Sequence, residues 1–138
     1  MKHQVGRDDE RKVETAIADY VRRYGLDLPD GLSDRYDLQT QWHTTTIPNA
    51  DKQGCYFIFD EIERLLYVGK ASLRNTIGRR VSTYFYSDSP GASVTFQHDG
   101  WTAKPSFIRT LPVQHPYEAA SLEEYLIDCL APIDNTQK

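Results

Sequence analysis

Apolar side chains recur at helical spacing near the N-terminus of the chain. Within residues 8–24 these positions are Val13, Ile17, Tyr20, Val21 and Tyr24. They share one side of a helical wheel, and Gly25 follows them as a typical helix stop signal. The pattern predicts an amphipathic helix whose apolar face either packs on the rest of the chain, which we favour, or docks on another protein.

Three later segments have the composition of β-strands. Gly54–Asp60 and Arg64–Ala71 are rich in β-branched and aromatic side chains. The short separation between them predicts an antiparallel hairpin. Pro105–Val113 is the third predicted strand, whereas residues 25–53 are rich in Asp, Gly, Pro and Thr and are expected to form loop or short strand.

Two further helices are predicted in the second half of the chain. One lies within Leu73–Tyr86, and its start is expected near Thr76 because Gly78 is unfavourable inside a helix. The other spans Pro116–Leu130, with a proline in its first turn and another proline just beyond its end. Residues 87–104 contain Ser-Pro-Gly and His-Asp-Gly turn signals and are predicted to be loop.

The order of these elements is helix, hairpin, helix, strand, helix. It predicts an α+β fold with a small, mostly antiparallel three-stranded sheet flanked by helices, together with the extra N-terminal helix.

Length and composition exclude several classes of protein. A chain of 138 residues is long enough for one domain with a real core, and 39% apolar residues are too many for a disordered chain. No apolar run approaches the roughly 20 residues of a membrane-spanning helix, so no membrane segment is expected. The N-terminal residues lack the apolar core of a signal peptide, and we therefore expect a cytoplasmic protein.

Neither cysteines nor histidines form a metal-ligand pattern in the sequence. Cys55 and Cys129 have no nearby cysteine or histidine at zinc-ligand spacing. Both are expected to be reduced, buried thiols. A disulfide framework and a structural zinc site are therefore not expected.

The charge of the chain is unevenly distributed. The net charge of −4 argues mildly against a nucleic-acid partner. Residues 64–86, however, carry five basic side chains and no acidic one, whereas residues 87–138 carry three basic and seven acidic. A local basic island is typical of a phosphate-binding site, although a solvated helix face would give the same pattern.

An ordered series of residues distinguishes this chain from a generic α+β domain. The series runs in the order Gly54-Cys55-Tyr56, Tyr67-Val68-Gly69-Lys70, Arg80, Tyr84, Glu123, Leu126-Ile127, Pro132 and Asn135. The first two groups fall on the two strands of the predicted hairpin, and the next two residues are one helical turn apart. Each member alone has an ordinary structural explanation, so the signal lies in the joint order.

This series resembles the GIY-YIG nuclease superfamily. The two signatures occur here as Gly-Cys-Tyr and Tyr-Val-Gly. Arg80–Phe85 and the stretch that follows Glu123 are similar to the nuclease domain of the bacterial nucleotide-excision repair incision protein. The resemblance divides the chain into an N-terminal helix and loop extension, residues 1–53, and a GIY-YIG-like nuclease domain, residues 54–138. The segment between Lys70 and Arg80 is somewhat longer than in that repair domain.

The residues of the series suit phosphodiester hydrolysis, which needs a Lewis acid, an activated water and charge stabilisation at phosphorus. Glu123 is the candidate ligand for Mg²⁺ or Mn²⁺, which prefer oxygen donors and waters. Arg80 can hold a phosphate oxygen in its guanidinium fork, and Lys70 offers a point charge. The alternative is an ion pair of Glu123 with Arg80 or Lys70 and no metal.

The tyrosines and Asn135 complete the set of candidate site residues. Tyr56 and Tyr67 lie on paired strands and can face one site, where either can orient or deprotonate the attacking water. The sequence does not choose between them. Tyr84 can hydrogen-bond the phosphate or the water, and the resemblance implies that Asn135 braces the site. Each tyrosine can equally be a half-buried core residue.

The candidate contacts to nucleic acid are Lys70, Arg74 and Arg79, all within the basic island. Together with the resemblance, these residues predict a metal-dependent endonuclease that hydrolyses phosphodiester bonds in DNA at a single divalent-metal site. The alternative is a catalytically weak or inactive module of the same fold that binds nucleic acid or protein. In so short a chain, specificity is expected from the loops, from a homodimer or from a protein partner.

Overall fold

A four-stranded antiparallel sheet organises the protein. The computed structural model describes residues 7–42, 44–86, 95–96 and 101–135. The sheet strands are β1 (Tyr36–Asp37), β2 (Gly54–Asp60), β3 (Leu65–Ala71) and β6 (Pro105–Pro112), in the spatial order β1-β6-β2-β3. A separate two-stranded ribbon consists of β4 (Phe85–Tyr86) and β5 (Thr95–Phe96). The predicted α+β fold is confirmed, with four strands in the main sheet where three were expected.

Three helices accompany the sheet in the described part of the chain. They are α1 (Arg7–Tyr24), α2 (Ile77–Val81) and α3 (Pro116–Leu130). The predictions for α1 and α3 are confirmed, and α1 ends where Gly25 adopts a φ of 67° and donates its N–H to the carbonyl of Val21. None of the described helices has the length and apolar character needed to cross a membrane.

The β2–β3 hairpin provides the centre and one edge of the sheet. Its antiparallel pairing is confirmed, with Tyr56 opposite Gly69 and Cys55 opposite Lys70. Every residue of β2 is buried, because β2 lies between β3 and β6 and both faces of the sheet are covered. Among the strands that the structure describes, β3 is paired only with β2 and forms an edge of the sheet.

Each face of the sheet carries its own apolar cluster. Alternate residues of β2 point in opposite directions, so Tyr56 and Ile58 join the cluster beneath α2, whereas Cys55, Phe57 and Phe59 join the cluster beneath α1 and α3. The α1 residues in this second cluster are Val13, Ala16 and Tyr20. The apolar face of α1 therefore packs on α3 and the sheet, as favoured from the sequence.

Helix α2 is much shorter than the predicted helix. Its start agrees with the sequence, since the hydroxyl of Thr76 accepts a hydrogen bond from the N–H of Arg79 at 3.3 Å. It ends at Val81 because the Ser82 hydroxyl donates to the carbonyl of Gly78 at 2.8 Å, which competes with the regular helical hydrogen bonds. Tyr84 follows in a tight turn and is 6% exposed.

Strand β1 lies within residues 25–53, for which the sequence predicts loop or short strand. Two residues cannot display a periodic pattern, so the sequence does not locate this strand, which is defined by pairing of Tyr36 with Ile108 on β6. Cys55 is a buried free thiol as expected, but Cys129 is an exposed one. Cys129 lies on α3 beside the apolar stripe that the buried residues Leu122 and Leu126 define. Most of the predicted loop 87–104 lies outside the described residues.

Candidate active site

Three tyrosines from different parts of the sequence meet on one face of the sheet. The hydroxyl oxygens of Tyr56 and Tyr84 are 2.9 Å apart, and Tyr84 donates to the hydroxyl of Tyr67 at 3.4 Å. Tyr56 and Tyr67 share a face because Tyr56 pairs with Gly69, which lies two residues after Tyr67 on β3. Tyr84 reaches them from the turn that follows α2. The three candidate tyrosines therefore form one hydrogen-bonded group.

The close approach of Tyr56 to β3 depends on the absence of a side chain at Gly69. A Cβ atom at that position would lie 2.5 Å from the hydroxyl oxygen of Tyr56 and 2.6 Å from a carbon of its ring. Both distances are much shorter than a van der Waals contact. The glycine of the second signature thus permits the Tyr56 ring to cross the strand and reach Tyr84.

Gly69→Ala is expected to destabilise the fold by about 1–3 kcal/mol, because the added methyl overpacks a fully buried site. Guanidinium unfolding monitored by circular dichroism measures the change. In a Tyr56→Leu background the same substitution should have a much smaller effect, since the obstructing ring is gone. Equal destabilisation in both backgrounds would show that the Tyr56 ring is not what excludes a side chain.

Arg80 lies beside this tyrosine group. One of its terminal nitrogens donates to the Tyr84 hydroxyl at 3.2 Å, and its guanidinium carbon is 5.7 Å from the centroid of the Tyr84 ring. The side chain is half-buried, whereas its neighbour Arg79 is exposed and donates to the carbonyl of Arg74 at 3.1 Å. The two adjacent arginines therefore have different surroundings: Arg80 points to the tyrosines and Arg79 to the surface.

The tyrosines differ in their access to solvent. Tyr56 is 0% exposed, whereas Tyr67 is half-buried and lines an open cleft. Burial raises the pKa of both phenols, and Tyr84 acts in the same direction on each. Arg80 opposes the rise at both positions. Both hydroxyls are therefore protonated near neutral pH in this state, and of these two only Tyr67 is accessible to a solvent water.

Glu123 faces the same cleft from α3. The cleft has a volume of about 700 Å³, and its lining residues include Tyr67, Glu123, Tyr125 and Asn135. Burial raises the pKa of Glu123 above its usual value, while the charges of Lys70 and Arg80 oppose that rise. Glu123 is half-buried, whereas the adjacent Glu124, which also lines the cleft, is exposed.

Glu123 makes no direct ion pair in the described part of the chain. No lysine or arginine nitrogen among these residues lies within 4.0 Å of its carboxylate. The alternative of a simple Glu123–Arg80 or Glu123–Lys70 ion pair is therefore wrong for this conformation. The two cations act on the carboxylate at longer range.

Lys70 belongs to the opposite face of the sheet from the tyrosines. It pairs with Cys55 across the hairpin, and its ammonium group donates to the hydroxyl of Ser72 at 3.3 Å. Tyr67 and Glu123 line the cleft, whereas Lys70 and Arg80 act on Glu123 electrostatically. Electrostatic effects of Glu123 on the pKa of Tyr67 and of Lys70 on that of Glu123 agree with this arrangement.

Asn135 fastens the C-terminal segment to the edge of β3. Its side-chain oxygen accepts from the N–H of Val68 at 2.8 Å, and its side-chain nitrogen donates to the carbonyl of Val68 at 3.0 Å. The N–H of Asp134 also donates to the carbonyl of Leu66 at 2.7 Å. Asn135 thus satisfies both backbone hydrogen-bonding groups of Val68, the residue between Tyr67 and Gly69. The sequence alone did not reveal these hydrogen bonds.

Sequence reasoning missed Trp101. Its ring lies 6.0 Å from the rings of both Tyr67 and Tyr84, and it stacks with Phe85 at 6.1 Å. Trp101 therefore helps to fix the orientation of the tyrosine group. An isolated tryptophan within a predicted loop, residues 87–104, gives no sequence signal for such a position.

The donor groups of the cleft fit a hard divalent cation better than zinc. No group of three or more His, Cys, Asp or Glu side chains in the described ranges is arranged to hold a metal. A structural zinc site needs four protein ligands, whereas Mg²⁺ retains several waters and is often held by one or two carboxylates and the phosphates of its substrate. A half-buried Glu123 in an open cleft meets that smaller requirement.

Comparison with known proteins supports a relationship over part of the chain. No family model matches it. The chain is 31% identical over 99 residues to the UvrABC system protein C of Wolinella succinogenes. The aligned region covers 69% of this chain and 16% of that protein. The chain is 49% identical over 43 residues to the UvrABC system protein C of two Porphyromonas gingivalis strains, covering 31% of this chain and 6% of theirs. The chain thus spans a small fraction of these relatives and resembles one segment of UvrABC system protein C.

Proposed function

We propose that this protein is a metal-dependent endonuclease that hydrolyses phosphodiester bonds in DNA through a single divalent-metal site. The observation that carries the proposal is that Tyr67 and Glu123 line one cleft. Arg80 is linked to Tyr67 through Tyr84, and the charges of Lys70 and Arg80 act on Glu123. The partial similarity to UvrABC system protein C supports it, as does the resemblance of the motif series to GIY-YIG nucleases.

In this proposal Glu123 is the residue that would hold Mg²⁺ or Mn²⁺. Such an ion would supply Lewis-acid stabilisation of the charge that develops at phosphorus. Arg80 donates to a non-bridging phosphate oxygen with its guanidinium fork. Lys70 adds a positive charge beside the same phosphate.

Tyr67 is the tyrosine that we assign to the attacking water, since the other candidate, Tyr56, has no solvent-exposed surface. The Tyr67 hydroxyl accepts a hydrogen bond from Tyr84, and this bond orients the remaining lone pair and the proton of Tyr67. Burial is the main cause of the raised pKa of Tyr67, and the charge of Glu123 adds to it; a cation held by the carboxylate would remove that second contribution. Tyr56 and Tyr84 then serve to position Tyr67 and Arg80.

A plasmid-nicking assay tests the proposal. Purified protein should convert supercoiled plasmid to nicked circles in the presence of Mg²⁺ or Mn²⁺ and should stop when EDTA is added. Supercoiled, single-stranded, flapped and branched DNA should be tested in parallel. If none of these substrates is cleaved with either metal, the catalytic proposal is wrong and the inactive binding module is the remaining interpretation.

DNA binding is expected to be weak and strongly dependent on salt, because the basic island is small and the chain has a net charge of −4. The slope of log affinity against log salt should be about −0.9 for each phosphate contacted. Fluorescence anisotropy with a labelled duplex in EDTA, repeated over a series of KCl concentrations, measures the slope. Tight binding that salt does not weaken would contradict the expectation.

Two arginine variants provide a matched comparison for this measurement. Arg79→Ala should reduce the magnitude of the slope by about 0.9, the contribution of one phosphate contact. Arg22→Ala should leave it unchanged, because Arg22 is an exposed arginine on α1 that already pairs with Asp19 at 2.8 Å.

A further inference from the structure

The loop between β3 and α2 presents an apolar side chain to solvent. Leu73 is 78% exposed, the highest value among the large hydrophobic residues that the structure describes as exposed. Leu73 lies three residues beyond Lys70, in the segment between Lys70 and Arg80. This segment is somewhat longer than in the repair domain that the chain resembles. A leucine with so little burial contributes almost nothing to the core.

The backbone of Leu73 adopts a conformation that leucine disfavours. Its φ is 59°, in the left-handed region that glycine and asparagine occupy more readily. The loop is nevertheless held in place: the side-chain amide of Gln53 donates to the carbonyls of Leu73 and Asn75, and the N–H of Asn75 donates to the carbonyl of Ser72 at 3.1 Å. The surrounding contacts therefore fix an outward-pointing leucine in a strained conformation.

The surface around Leu73 is positively charged. Arg74 and Arg79 are both exposed and line, with Leu73 and two polar residues, a concave surface of about 770 Å³. Lys70 is tied to the start of the same loop through Ser72. No acidic residue occurs between residues 64 and 86. An exposed apolar group among cations is complementary to a nucleic acid, which offers phosphates outside and apolar base faces inside.

We propose that Leu73 is a wedge that inserts between adjacent base pairs of duplex DNA next to the phosphate bound by Lys70. Arg74 and Arg79 then lie on the flanking phosphates. This inference rests on the proposed nuclease function and extends it to the choice of substrate. Because the wedge must unstack a base step, it favours duplexes that are already weakened by a mismatch or lesion.

Binding to a mismatched duplex tests the wedge directly. A short duplex with one central mismatch and an adjacent 2-aminopurine, whose fluorescence rises when it is unstacked, is titrated with protein in EDTA. Wild-type protein should raise the fluorescence and bind this duplex more tightly than the fully paired one. Leu73→Ala should abolish the fluorescence rise and weaken binding to the mismatched duplex by about tenfold or more, because the apolar insertion is lost.

The salt slope separates a wedge from a charge effect. Leu73→Ala should keep the wild-type slope, since it removes no phosphate contact, whereas Arg74→Ala should make the slope shallower. Ile62→Ala is the matched control: Ile62 is 51% exposed but lies in the turn at the other end of β3. It should behave as wild type, and Leu73→Met should retain most of the fluorescence rise.

The outcomes distinguish the wedge from the nuclease proposal. If wild type cleaves plasmid with Mg²⁺ but Leu73→Ala binds and unstacks the mismatched duplex as wild type does, the wedge is wrong and the nuclease stands. Equal losses in Leu73→Ala and Ile62→Ala would also overturn the wedge. If wild type neither binds duplex DNA at low salt nor cleaves any substrate, both proposals fail.

Discussion

Replacing Glu123 by glutamine should abolish metal-dependent cleavage, while the same replacement at Glu124 should leave the rate within a few-fold of wild type. Glutamine keeps the shape of the side chain but removes the charge that holds a hard cation. Metal catalysis of this kind contributes several kcal/mol of transition-state stabilisation, which corresponds to a rate loss of about 10²–10⁴. Single-turnover cleavage of plasmid in saturating Mg²⁺ measures the loss.

Glu124 is a stringent control because it is the adjacent residue with the same functional group. The two carboxylates differ in burial: both line the cleft, but Glu123 is half-buried, whereas Glu124 is exposed. Mn²⁺ binding, followed by electron paramagnetic resonance, gives a readout that does not depend on cleavage and should be lost only in Glu123→Gln. If Glu124→Gln is the inactive variant, the assignment of the metal to Glu123 is wrong.

The stability of Glu123→Gln tests the same assignment from another direction. The folded state raises the pKa of Glu123, so folding favours the protonated form and the ionised carboxylate destabilises the fold at neutral pH. Removing the charge should therefore leave the melting temperature unchanged or higher in the absence of metal. A large decrease in melting temperature would show that Glu123 has a structural role and would weaken its interpretation as a functional group.

The large elements of this fold are predictable from the sequence because they are long and periodic. Helix α1, the β2–β3 hairpin, β6 and α3 each display enough residues for a helical or strand pattern to emerge. The buried side of α3 also follows from its apolar stripe, to which the buried residues Leu122 and Leu126 belong. The boundaries are less secure, as β3 begins at Leu65 and not at Arg64.

The arrangement of the site is less predictable because it depends on contacts distant in sequence. Strand alternation places Lys70 on the opposite face of the sheet from Tyr67. The strand pattern therefore does not indicate that Glu123 interacts electrostatically with both of them. The choice between Tyr56 and Tyr67 required their exposure, which the pattern of a hairpin does not give. The two hydrogen bonds from Asn135 to Val68 join residues 67 positions apart.

Arg80→Ala should reduce the cleavage rate by about 10²–10³ at saturating DNA, the usual loss when one preorganised donor to a developing negative charge is removed. Arg79→Ala should mainly weaken DNA binding and leave the saturated rate nearly unchanged. Both arginines lie inside helix α2, which ends at Val81, and their side chains differ in burial: Arg80 is half-buried and Arg79 is exposed.

The contrast follows from what each guanidinium contacts. Arg80 is half-buried and donates to Tyr84, which in turn donates to Tyr67, so its position is fixed by the same group that would orient the attacking water. Arg79 is exposed and contacts a backbone carbonyl of its own loop. A fixed donor contributes to the transition state without reorganisation, whereas an exposed arginine contributes chiefly to electrostatic attraction.

Arg80→Lys separates charge from geometry at this position. Lysine keeps the positive charge but cannot form the planar fork, so an intermediate rate is expected, with binding close to that of wild type. Thermal melting of each variant checks that the fold is intact, because Arg80 also packs near the Tyr84 ring. If Arg79→Ala and Arg80→Ala lose the same fraction of the saturated rate, Arg80 has no special place in the reaction, and the tyrosine group that orients it must be reinterpreted as part of the core.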